Sequence, residues 1–263
     1  MHFIELKKLS KEQVLYIFEL AKKLKDMPKN NAFSGKTFLL FFPETSIRTR
    51  ITFEKGIKNL GGECILFPPE TLDKREEPVD VMKYICNWVD AVIIRHPNIS
   101  ILKELATHGS IPVLNAMTEH NHPCEIVSDL LSISENREDY RNLVYTFVGP
   151  ANNISRSWAE ISNSNYRFTT NLEDALIGSD VILTDSLPNE YLNTEYLTQY
   201  QITLERMNTC KSGAILNPCP PFFRNEEVTN EVINSEYFVG HSFKKNLLYV
   251  QQAIIAFCLG IEI

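Results

Sequence analysis

The chain has 263 residues, 44% of them hydrophobic, and a formal net charge of −7. That length supplies ample core for one large domain or two small ones, and the negative balance argues against a general nucleic-acid binder. No apolar run approaches the roughly 20 residues that span a membrane, and the N-terminus lacks a secretory pattern. The six cysteines (64, 86, 124, 210, 219, 258) show no CxxC spacing and read as free thiols in a reducing cytoplasm. Cys64, Cys86 and Cys258 are expected to be small core residues. The histidines do not cluster with cysteine or carboxylates at ligand spacing, so no metal and no cofactor is expected.

Ser10, with Gln13 three residues on, forms a capping box that predicts a first helix to about Lys25. Val14, Ile17, Phe18, Ala21 and Leu24 then share one face. An apolar strand over 37–42 stops at Pro43. Two hydroxyls, Ser46 and Thr49, and two guanidiniums, Arg48 and Arg50, follow at the start of a helix that Gly61 and Gly62 break. A strand handing over to a helix presents free backbone N–H groups and the positive end of a helix dipole. Hydroxyls and arginine at that point make a phosphate cradle. The plainer reading is Ser46 as an N-cap with both arginines solvated. No glycine-rich loop is present, which disfavours a nucleoside triphosphate.

A strand over 63–67 runs into Pro68 and Pro69. The polar stretch 70–78 has no apolar period and reads as an exposed loop, followed by a helix to about Trp88. An apolar strand over 90–95 ends on Arg95-His96-Pro97. A helix from Ile99, a strand over 112–115 and a helix over 123–134 complete the first half, and the charged stretch 135–142 reads as a hinge. The pattern then restarts with a strand over 143–149, a helix from Ile154, a short strand near Phe168, a helix over 172–177 and a strand over 180–185. A strand over 214–216 and a final helix from about Lys245 to Leu259 close the chain. Strands alternating with helices at this spacing predict α/β architecture around parallel sheets. Ligands of such sheets sit beyond the carboxyl ends of the strands, which groups Ser46, Arg48 and Thr49 with Arg95.

Five segments together carry a resemblance. Ser46-Ile47-Arg48-Thr49-Arg50 resembles the Ser-Thr-Arg-Thr-Arg carbamoyl phosphate motif of the aspartate/ornithine carbamoyltransferases, and His122-Pro123-Cys124-Glu125 resembles their His-Pro-x-Gln. Arg95-His96-Pro97 resembles a third phosphate-side element, closest to the aspartate branch. The run from Gly149 to Ser157 resembles the Gly-Asp-x-x-Asn-Asn of the ornithine branch, and Asn217-Pro218-Cys219-Pro220 stands where the family has His-Cys-Leu-Pro or His-Pro-Leu-Pro. The order and spacing agree along the whole chain. The resemblance implies two doubly wound parallel-sheet domains. Residues 1–135 would bind carbamoyl phosphate, with the last helix (245–263) packing back on them, and 136–244 would bind the amine acceptor. It also implies a homotrimer in which a basic loop, here 70–78 with Lys74 and Arg75, completes a neighbour's site. The plainer reading of that loop is a solvated charge run.

The implied reaction is attack of an unprotonated amine on the carbonyl carbon of carbamoyl phosphate, giving a ureido product and phosphate. By resemblance, Ser46, Arg48, Thr49 and the Ile47 backbone N–H hold the phosphate, while Arg95, His122 and Thr49 polarise the carbamoyl oxygen. Glu125 would accept from the carbamoyl NH2, and a cis Cys219–Pro220 bond would turn its carbonyl toward the same group. Asp185, Asn153, Ser186 and Asn217 would face the acceptor, with Asp185 favouring a cationic amino acid or diamine. His122 and Asp185 also admit plainer readings, as a helix-start cap and a turn cap. Three departures from the family stand out: Ile47 for threonine, Glu125 for glutamine and Asn217 for histidine. The short interval between Trp158 and Phe168 predicts a second domain lacking about one βα unit. These features leave a second reading open, a non-catalytic relative that binds a ligand or partner. A dinucleotide-binding module is poor, because 149–153 lacks the required glycines.

Overall fold

The computed structural model describes residues 1–161, 165–168 and 171–263. It divides into two compact units, Met1–Ser132 with Lys245–Ile263, and Ile133–Lys244. The division falls at Ser132/Ile133, inside a continuous helix, not in the charged stretch 135–142.

In the first unit, strands β1 (Thr37–Phe41), β2 (Glu63–Phe67), β3 (Ala91–Arg95) and β4 (Val113–Met117) form a parallel sheet in the order β2-β1-β3-β4. The apolar runs of β1 and β3 are buried on both faces, as a covered parallel sheet requires. Leu39, Phe41, Val92 and Ile94 pack with Met82 of α3 (Pro78–Ile85) and with Leu102 and Leu105 of α4 (Ile99–His108). Alternate residues turn the other way, and Phe38 meets Phe33 at 5.3 Å between ring centroids.

Helix α1 (Lys11–Asp26) starts with the capping box in place: Gln13 N–H donates to Ser10 Oγ and Ser10 N–H to Gln13 Oε1. Its stripe Ile17, Phe18, Ala21 and Leu24 is buried. The last helix, α11 (Asn246–Leu259), packs on α1 and on α2 (Ile47–Asn59). Gln252 Nε2 donates to Gly56 O at 2.7 Å, and a Cβ at Gly56 would stand 3.2 Å from Gln252 Cγ. A side chain at Gly56 would therefore press on Gln252 of the last helix.

The second unit repeats the plan. Strands β5 (Tyr145–Val148), β6 (Tyr166–Phe168), β7 (Val181–Thr184) and β8 (Ile215–Pro218) form a parallel sheet in the order β6-β5-β7-β8. Trp158 of α6 (Asn153–Ile161) stacks on Tyr145 at 5.3 Å. The opposite face packs Val148, Ile182 and Leu216 against α7 (Leu172–Leu176), α9 (Leu204–Met207) and α10 (Asn230–Ile233). Part of the shortened interval, residues 162–164, lies outside the described residues.

Several expectations need correction. The stretch 70–78 is not a plain loop: Pro69–Asp73 forms a 3-10 turn with Pro69 buried and Leu72 packed on the core. Nor is it basic overall, since four carboxylates flank Lys74 and Arg75. Cys64 and Cys86 are only half-buried, whereas Cys258, Cys124 and Cys219 are buried, and none of the six cysteines forms a disulfide. The cis peptide is Pro220–Pro221, not Cys219–Pro220. Helix α5 (Pro123–Asn136) outruns its expected end, and α8 (Thr194–Tyr200), α9 and α10 were not expected at all. Among the described residues, no helix is long and apolar enough to cross a membrane.

Candidate active site

Each sheet reverses its winding between two central strands, β1/β3 in the first unit and β5/β7 in the second. That switch point opens a crevice at the strands' carboxyl ends.

In the first unit β1 ends at Phe41, and the chain turns through Pro43 to Thr45. Ser46 N–H donates to Pro43 O at 3.0 Å, and α2 begins at Ile47. Ser46 holds the N-cap position, yet its side chain makes no capping bond. Instead Arg95 Nη1 donates to Ser46 Oγ at 3.0 Å and to Thr49 Oγ1 at 3.2 Å. Ser46 and Thr49 are buried. The pairing of β3 with β4 slips by one residue between Ile94 and Arg95, so that Arg95 pairs with Met117. Such a bulge re-aims the side chain at the strand end. A guanidinium and two hydroxyls thus converge at the start of a helix, where backbone N–H groups add donors.

Arg48 is exposed beside this cluster, and Ile47 is 65% exposed. Arg50 turns away to an ion pair with Glu54 one helical turn on, so it is no part of the cradle. His122 and Glu125 are buried where α5 begins. A network sets the turn before them: Asn121 Oδ1 accepts from Thr118 Oγ1 (2.9 Å) and Asn115 Nδ2 (2.6 Å), and Asn121 Nδ2 donates to Ile4 O (2.9 Å). Asn115, Thr118 and Asn121 were missed in the sequence. Their only signal was a cluster of polar residues between a strand and a helix. Lys74 and Arg75 are exposed after the 3-10 turn.

In the second unit the switch point carries the opposite charge. Gly149 leaves β5 with φ +141°, in a region closed to most side chains. Asn152 then caps α6: its Oδ1 accepts from Ser155 N–H and its own N–H donates to Ser155 Oγ, both at 2.9 Å. Asn152 Nδ2 donates to Asp185 Oδ2 at 2.9 Å, and Asp185 Oδ1 accepts from Ser186 N–H at 2.9 Å. The asparagine bonded to Asp185 is therefore Asn152, while the neighbouring Asn153, the expected ligand, is half-buried at the first position of α6. Thr184 Oγ1 donates to Val148 O (2.7 Å) and Cys219 N–H to Thr184 O (2.8 Å), locking the three strand ends together. Asn217 and Cys219 are buried there, and Pro220 follows.

Glu227 was also missed, because Glu226-Glu227 reads as solvated charge. It is 2% exposed, with Oε1 accepting from Phe223 N–H at 2.7 Å. Burial, with Glu226 and Asp185 nearby, raises its pKa to about 7.

A family model described as aspartate/ornithine carbamoyltransferase, carbamoyl-P binding domain, matches residues 1–135. A second, the Asp/Orn binding domain of the same family, matches residues 149–258. An ornithine carbamoyltransferase from Nitrobacter winogradskyi is 30% identical over 300 residues, covering 98% of this chain and 97% of that protein. The alignment is longer than this chain, so the relative carries segments absent here. The crystal structure of ornithine carbamoyltransferase from Burkholderia thailandensis superposes with a TM-score of 0.87 at 26% identity, covering 98% of both chains. That of Pyrococcus furiosus gives 0.88 at 22% identity, a likeness of fold. With both domain models matched in order along one chain, this protein belongs to the aspartate/ornithine carbamoyltransferase family, whose members are transferases.

Proposed function

We propose that the protein moves the carbamoyl group of carbamoyl phosphate to the amine of an ornithine-like amino acid or diamine. The observation that carries this reading is the convergence of Arg95, Ser46 and Thr49 at the switch point of the first unit. Phosphoryl oxygens would be held by Ser46, Thr49, the exposed Arg48 and the backbone N–H of Ile47. A guanidinium can bond two phosphoryl oxygens at once, which lysine cannot do with fixed geometry. Arg95, Thr49 and His122 would stabilise the carbamoyl oxygen as the amine lone pair attacks the carbonyl carbon. The tetrahedral adduct then expels phosphate by breaking the C–O bond, and the nitrogen passes its proton to the departing phosphate oxygen. Charge accumulates on oxygen throughout, so fixed cations and donors supply most of the acceleration. Glu125, buried where α5 begins, would orient the carbamoyl NH2.

Asp185 supports a cationic acceptor, because its carboxylate is the anionic group at the second switch point and is fixed there by two donors. Asn153, Ser186 and Asn217 would complete that pocket. We assign the protein to the cytoplasm and to a homotrimer in which Lys74 and Arg75 reach the adjacent subunit's cradle. Exposed apolar groups on α2 and the edge strand β2, namely Ile47, Ile51, Ile65 and Phe67, support burial against another copy.

The test is phosphate release from carbamoyl phosphate across ornithine, shorter diamino acids, putrescine and aspartate. Release with a cationic amine, abolished by Arg48→Ala, is the expected result. Release only with aspartate overturns the acceptor class. Absence of carbamoyl phosphate binding in calorimetry overturns the transferase reading.

A further inference from the structure

His96 sits beside Arg95 at the end of β3 but is bonded to a different part of the unit. Its ring is 5% exposed, and its backbone N–H donates to Met117 O at 3.1 Å. Nδ1 accepts from Asn98 N–H at 3.0 Å, so in the neutral ring the proton is on Nε2. Nε2 then donates to Asp73 Oδ1 at 3.0 Å. Asn98 caps α4 through Ser100 N–H, which stiffens the imidazole's support. Asp73 is the last residue of the Pro69–Asp73 turn, and its side chain is 53% exposed. Upstream, Pro69 is buried and Leu72 packs on the core. Downstream, residues 74–77 are exposed until Pro78 starts α3. The His96–Asp73 bond is thus the side-chain tether immediately before Lys74 and Arg75. One strand end holds both the cradle, through Arg95, and the root of the cationic segment, through His96.

We propose that His96 is a positioning residue that latches Asp73, fixing the direction in which Lys74 and Arg75 leave the core. The inference rests on the reading that these two cations serve carbamoyl phosphate binding. His96 itself touches no substrate. The latch gives the exposed Asp73 carboxylate a fixed partner at the strand end just ahead of the two cations.

Steady-state kinetics on the full chain test this with paired variants. Asparagine places its side-chain oxygen near the position of Nδ1 but is too short to reach Asp73, whereas glutamine extends its amide N–H to the position of Nε2. His96→Asn and Asp73→Ala are expected to raise the KM for carbamoyl phosphate about tenfold, the scale of one charge-assisted hydrogen bond, with kcat changed less than about threefold. His96→Gln restores the donor and stays near the parent. In a Lys74→Ala/Arg75→Ala background, His96→Asn and Asp73→Ala add nothing further, because the latch acts only through those cations. Additive effects in that background overturn the proposal, as does a silent His96→Asn where Lys74→Ala/Arg75→Ala is impaired. If removing both cations leaves KM unchanged, the reading of their role fails. Amide hydrogen exchange over 74–77 then decides the latch: faster exchange in Asp73→Ala supports it, and unchanged exchange overturns it.

Discussion

The sheets of the two units share one strand order, and each places its polar cluster where that order reverses. At β1/β3 the cluster is a guanidinium with two buried hydroxyls, Arg95 with Ser46 and Thr49. At β5/β7 it is a carboxylate with an amide, Asp185 with Asn152. The topology supplies a crevice and a helix start in both places. The residues after the strand ends decide which sign of charge is welcome there. On the proposed function the first site takes a phosphorylated anion and the second an ammonium, as expected when function is grafted onto a common scaffold. In the proposed transfer the attacking amine is unprotonated, and the positive charge that would suit the second site is carried elsewhere on the acceptor.

The largest expected effect breaks the first site. Arg95→Ala removes the guanidinium that bonds both Ser46 and Thr49, and kcat should fall about 10²–10³-fold, roughly 3–4 kcal/mol of lost donor stabilisation. Calorimetry on the same variant should show weakened carbamoyl phosphate binding. A variant with unchanged turnover would remove Arg95 from the site.

Asp185→Asn strikes only the second site. It keeps the shape and removes the charge, so KM for the amine should rise about 10- to 100-fold, the range for a hydrogen bond to a charged group. The affinity for carbamoyl phosphate should stay at the parent value. If both substrates weaken together, the division of labour between the two switch points is wrong.

The smallest effect is on stability and sharpens the second site's electrostatics. Glu227 has a pKa raised to about 7, chiefly by burial. A raised carboxyl pKa contributes stability that is fully present below the unfolded-state value near 4.5 and is lost as pH rises through about 7. The thermal midpoint should therefore drop between pH 5.5 and 8, and Glu227→Gln should flatten that drop. A parent protein whose pH dependence matches that of Glu227→Gln would show Glu227 to be ionised throughout.

Much of the fold was legible because its signals are local. The Ser10–Gln13 box, Pro43 and the Gly61-Gly62 break mark element ends within a few residues. The runs of β1 and β3 are unmistakably apolar, as strands covered on both faces must be. Helices α9 and α10 escaped because four residues show no period. The cradle residues were legible from the motif, but the bond that replaces Ser46's capping role was not. Arg50 looked equivalent to Arg48 until its partner Glu54 was placed beside it.

By itself the sequence determined the order of elements, the parallel α/β plan, and the residue types that follow each central strand. Those features depend on periodicity and on neighbours a few positions apart. Tertiary structure alone decided the rest. The sequence grouped Arg95 with Ser46 and Thr49 at the strand ends, but the hydrogen bonds that Arg95 makes to them across 49 and 46 positions, and that of Asn152 to Asp185 across 33, came only with packing. His96 finds Asp73 across 23, and Glu227 is sealed from water. A hydrogen bond's partner and a carboxyl's exposure are set by how side chains pack once the strand ends are together, and the order of elements does not specify that atom by atom.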